Sequence, residues 1–134
     1  MNNRGKSDNI QKSRSWIWYV MVILIIEKII QHVFVTFAFY LDFGGIRSSV
    51  SVNGDLLMIS GAMVAILFML SLWGMISEKN WAINLVIVLS LIDIIGEFIA
   101  QGKMDIMITV SFIVAIIMFV LTSFYRQKRH KQAT

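Results

Sequence analysis

Glu27, Lys28, Gln31 and His32 lie close together in one apolar run, and Asp93, Glu97 and Gln101 lie in another. Ionisable groups are costly in hydrocarbon, so inside membrane-length segments they mark ion or proton pathways, counter-charges for a ligand, or polar contacts between helices. At about 100° per residue, Glu27 and Gln31 share one helical face and Lys28 and His32 the adjacent one, all within an arc of about 140°. Ser90, Asp93, Glu97 and Gln101 form a second stripe about 80° wide. The candidate ligand- or proton-binding cluster is therefore Glu27, Lys28, Gln31, His32, Asp93, Glu97 and Gln101.

Charge counting gives these residues a task. With His32 neutral, the three carboxylates of Glu27, Asp93 and Glu97 oppose the single ammonium of Lys28. A proton shared on one carboxylate, protonation of His32, a bound cation or a cationic ligand would each relieve the excess. Depth refines the pairing. Measured outward from Lys28 at the middle of its run, Asp93 lies about 3 Å away, His32 about 6 Å and Glu97 about 9 Å. This predicts that Lys28 faces Asp93, that His32 faces Glu97, and that the first and third apolar segments touch through these faces.

Other chemistries find weaker footing. Asp93, Glu97 and His32 offer oxygen and nitrogen donors, yet Lys28 would repel a metal ion, and no H-E-x-x-H pattern is present; no metal or cofactor is expected. Ser60, Ser71 and Ser111 have no spaced histidine partner and read as packing residues bonded to their own helices. The nine methionines, Met58, Met63, Met69 and Met118 among them, suit adaptable packing. His130 reads as a solvated residue in a basic tail. No catalytic residue is assigned, and a non-enzymatic role is favoured.

The elements that must position this cluster are membrane helices. Hydrophobic residues make up 57% of the 134, charged residues only 15%, and the mean hydropathy is +0.75, which describes a chain whose solvent is lipid. Four runs are long enough to cross about 30 Å of hydrocarbon: Trp16 to Tyr40, Leu56 to Ile76, Trp81 to Gln101, and Ile106 to Tyr125. Trp16, Trp18, Tyr19, Tyr40, Trp73, Trp81 and Tyr125 mark their interfaces. Without cysteine there are no disulfides or thiolate sites, and without proline the helices are expected to be continuous. The fold class is all-α: one integral membrane domain, residues 16–125, flanked by basic tails at 1–15 and 126–134, of which Met1 to Ser15 and Gln127 to Thr134 read as disordered.

Arg4, Lys6, Lys12, Arg14, Lys79, Arg126, Lys128, Arg129 and Lys131 gather on one side, against Arg47 and Lys103 on the other, so both termini are expected to be cytoplasmic. The net charge of +4 follows from these clusters, whose first meaning is topology and whose second is attraction to anionic lipid headgroups. Nucleic acid is not an expected partner. The loop from Asp42 to Gly54 carries Gly44-Gly45, an alternating stretch to Val52 and the turn signal Asn53-Gly54, which predicts a small lid or hairpin. Asp55 is expected to cap the following helix, and Arg47 to meet Asp42, an anionic ligand or solvent. Gly61 and Ala65 form a small-xxx-small pair suited to close packing within the bundle, or across a homodimer.

Three functions fit this pattern at a multi-pass site in the cell membrane. The leading expectation is proton- or cation-coupled transport or permeation of a small solute. The alternatives are an accessory, assembly or regulatory subunit of a larger membrane complex, and a membrane-embedded acid-base enzyme acting on a lipid-soluble substrate.

Overall fold

A computed structural model describes residues 15–101 and 109–133. Among them the chain is entirely helical: α1 (Trp16–Tyr40), a 3-10 turn (Phe43–Gly45), α2 (Ile46–Ser49), α3 (Gly54–Ile76), α4 (Asn80–Gln101) and α5 (Thr109–Ala133). Four of these helices are long and apolar enough to cross a membrane, as the helices of a multi-pass membrane protein are.

The first expected segment coincides with α1, whereas α3 and α4 begin slightly earlier than Leu56 and Trp81. At α3 the cause is a cap. The Asn53 side chain accepts a hydrogen bond from the Asp55 backbone N–H at 2.8 Å, so the residue capping this helix is Asn53, not Asp55. The expected start of the last span at Ile106 lies outside the described residues. Its end differs clearly, because α5 stays helical through Ala133 where a disordered tail was expected from Gln127 onward. Arg126 to Ala133 contains no glycine or proline, its Arg, Lys, Gln and Ala are good helix formers, and cations near a helix C-terminus complement its dipole.

The Asp42 to Gly54 loop is not a hairpin. Asp42, Gly44 and Gly45 adopt left-handed φ values of 48°, 67° and 73°, which curl the chain into the 3-10 turn and the short α2. Arg47 fastens this turn. Its Nε donates to the Phe39 carbonyl at 2.7 Å, its backbone N–H donates to Asp42 Oδ1 at 3.1 Å, and its guanidinium lies 2.9 Å from Asp55 Oδ1.

Interior residues recur at alternating spacings of three and four. In α1 the series Trp18, Met21, Ile25, Lys28, His32, Val35, Phe39 is buried or half-buried throughout, and Gly61, Ala65, Phe68, Leu72, Met75 repeats it in α3. This is the seam of helices packed side by side at a shallow angle. The opposite faces expose large apolar side chains such as Ile23, Phe34, Ile66 and Phe124. An exposed apolar coat of this extent belongs against lipid.

The four long helices close into a ring. α1 packs on α3 and α5, and α4 packs on the same two, which leaves α1 and α4 diagonal across the interior. Close approaches fix two sides of the ring. A Cβ on Gly61 would come within 3.1 Å of Thr36 Oγ1 in α1, so the small pair serves packing inside the bundle. A Cβ on Gly74 would collide with Ala82 and with the Trp81 ring at 2.7 to 2.9 Å, where α3 turns into α4.

Candidate functional site

Lys28 is fully buried at the middle of α1, facing the centre of the ring. A bare ammonium there would be costly, so its surroundings are a cage of acceptors. Nζ donates to Gln31 Oε1 at 3.1 Å, one turn along α1, and to the Ser111 carbonyl and Oγ of α5, both at 2.9 Å. Asp93 Oδ2 completes the cage from α4 at 2.8 Å, off the direction of a hydrogen bond, so this contact is coulombic in character. One side chain thereby joins three helices.

Asp93 reaches in two directions. While Oδ2 faces Lys28, Oδ1 lies 2.8 Å from His32 Nε2, and the imidazole stacks on Phe68 of α3 with ring centroids 5.7 Å apart. The pairing of Lys28 with Asp93 is the one the depths predicted. The partner of His32 Nε2 is Asp93 rather than Glu97, because Asp93 is the carboxylate that α4 buries toward the centre of the ring.

A carboxylate on one imidazole nitrogen fixes the ring and directs the other nitrogen's lone pair or proton elsewhere. Lys28 compensates the charge of Asp93 on one side, and His32 is the partner of that carboxylate on the other. Its side chain keeps 18% exposure, against 0% for Lys28 and 6% for Asp93. The network is sealed at Lys28 and opens on the side of the imidazole, where Gln31 and Ser111 are also half-buried.

That opening is a cleft of about 430 Å³ in the half of the bundle nearest α2. Val35, Phe39, Leu57, Val64 and Ile92 give it an apolar wall, and Ile46 and Val50 line it at the α2 end. Its polar side gathers Gln31, His32, Asp93, Glu97 and Ser111, with Ser60 opposite on α3. A mostly apolar cavity with a few convergent polar groups is the usual form of a small-molecule site.

Of the seven expected cluster residues, Lys28, Gln31, His32 and Asp93 form the connected network, and Glu97 joins them on the cleft wall. Glu27 does not join the hydrogen-bonded cage: it is half-buried, and its buried Oε2 has no hydrogen-bond partner among the described residues. The side chain of Gln101 lies outside the described residues. Ser90 turns inward but spends its hydroxyl on the Val86 carbonyl at 2.8 Å. Among the described residues, no three His, Asp or Glu side chains converge as metal ligands would.

Sequence reasoning missed Ser111, read as a packing serine, although it supplies two of the acceptors around Lys28. Half of that role belongs to a backbone carbonyl, which has no signature in a sequence. The hydroxyl had one available sign, its place in the first half of the last span, within reach of a long lysine side chain. Ser60 and Ser71 do bond to their own helices, through the carbonyls of Leu57 and Phe68.

Comparisons with protein family models, curated proteins and solved structures give no match to this chain, so function is read from the geometry.

Proposed function

We propose that the chain is a small multi-pass carrier or pore of the cell membrane that moves a small amphipathic solute coupled to a proton or cation. The observation that supports it most directly is the position of His32, held by Asp93 on the wall of an apolar cleft while Lys28 is sealed behind. In this reading the imidazole exchanges the proton, Asp93 orients it, Glu97 contributes negative charge toward the α2 mouth, and Gln31 and Ser60 offer hydrogen bonds to the solute. The excess of basic residues at the ends of α1 and α5 supports cytoplasmic termini and an α2 mouth facing outward.

Purified protein in liposomes under an imposed pH gradient, with ethidium as a small amphipathic cation, tests this. Uptake should exceed that of protein-free liposomes and fall about tenfold or more when Asp93→Asn is combined with Glu97→Gln, since deleting proton-transfer groups has effects of at least that size. Uptake unaffected by the double change would reject the mechanism.

One feature favours a second reading. All the donors of Lys28 are satisfied inside the bundle, as an internal clip would require. In an accessory subunit of a larger complex, Glu97→Gln, which leaves the Lys28–Asp93 pair intact, would remain functional and partner proteins would copurify.

A further inference from the structure

The helical extension of α5 creates a second feature far from the cleft. Between α4 and α5, at the end of the bundle where α5 finishes, lies an open groove of about 780 Å³. Ile87 of α4 and Phe119, Val120 and Phe124 of α5 give it an apolar floor, and Arg126 and His130 stand at its polar end. The residues follow one stripe of a continuous helix, so the change from apolar to basic occurs within two turns along one surface.

We propose that this groove binds an anionic glycerophospholipid, with an acyl chain against Phe119, Val120 and Phe124 and its phosphate at Arg126 and His130. Charge complementarity sets the headgroup. Lys128, Arg129 and Lys131 follow Arg126 within the next turn and a half, and α5 carries no carboxylate after Tyr125. Basic pockets between membrane helices on the cytoplasmic side are suited to acidic lipid headgroups. The apolar floor sets the rest of the ligand, since a soluble phosphate would gain nothing from two phenylalanines and a valine beside the charge. A helix that frayed after Tyr125 would not hold Arg126 and His130 in line with that floor.

The test is native mass spectrometry of the full chain released from mixed micelles with equal phosphatidylglycerol and phosphatidylcholine. We expect phosphatidylglycerol to be retained about tenfold over phosphatidylcholine, with Arg126→Gln costing about fivefold and Lys128→Gln, outside the groove, about twofold or less. Arg126→Lys should keep most of the preference, which separates lost charge from lost folding. Equal retention of the two lipids, equal losses in the Arg126→Gln and Lys128→Gln proteins, or displacement of the lipid by soluble glycerol phosphate would each overturn the assignment.

Discussion

Lys28 and His32 sit one helical turn apart on α1 and share Asp93, yet they do different work. Lys28 is caged and structural, whereas His32 is the accessible end. Magnitudes separate this from a weaker view. An interhelical hydrogen bond in a membrane averages about 0.6 kcal/mol, but removing one partner of a buried ion pair costs about 3 to 5 kcal/mol. Lys28→Met should therefore lower unfolding free energy in micelles by about 3 kcal/mol or more, and Lys28→Met with Asp93→Leu should recover most of the loss. A loss near 0.6 kcal/mol for the single change would mean that Lys28 is not charged in the bundle. The Lys28–Asp93 pair was legible because charged residues in apolar runs are conspicuous and depth follows from helix rise. The His32–Asp93 contact was not, because it depends on which helices are diagonal, and the Ser111 carbonyl could not be.

At the scale of elements, hydropathy and interface aromatics were enough to locate all four spans, since membrane helices must satisfy their backbone internally and need a minimum apolar length. The ends were less legible. Asn53 rather than Asp55 caps α3, and α5 runs on into its basic residues, because capping geometry and helix propensity act after the apolar signal stops. The glycines give the sharpest test of how the elements meet. Gly74→Ala forces a methyl into Ala82 and the Trp81 ring and should cost about 1 to 3 kcal/mol. Gly96→Ala meets nothing within 4 Å and should be neutral or stabilising by up to about 1 kcal/mol. Thermal unfolding of the two variants checks the order, and equal effects would mean that α3 and α4 do not approach as described.

The whole molecule is a ring of four helices whose interior is bridged along the diagonal by Lys28, Asp93 and His32, with α2 over one end and the basic turns of α5 at the other. Because the chain has no cysteine, single replacements report its orientation cleanly. Ser48→Cys in α2 should react with an impermeant maleimide added to intact cells, and Ser77→Cys in the α3–α4 turn only after the cells are opened; the reverse pattern would invert the topology. The division of labour around Asp93 is tested most directly by His32→Gln, measured for ethidium uptake and thermal unfolding on the same preparation. Glutamine can keep a hydrogen bond to Asp93 but cannot carry the proton. We predict uptake reduced about tenfold or more with the unfolding midpoint nearly unchanged. Undiminished uptake, or a loss of stability as large as that of Lys28→Met, would contradict the account.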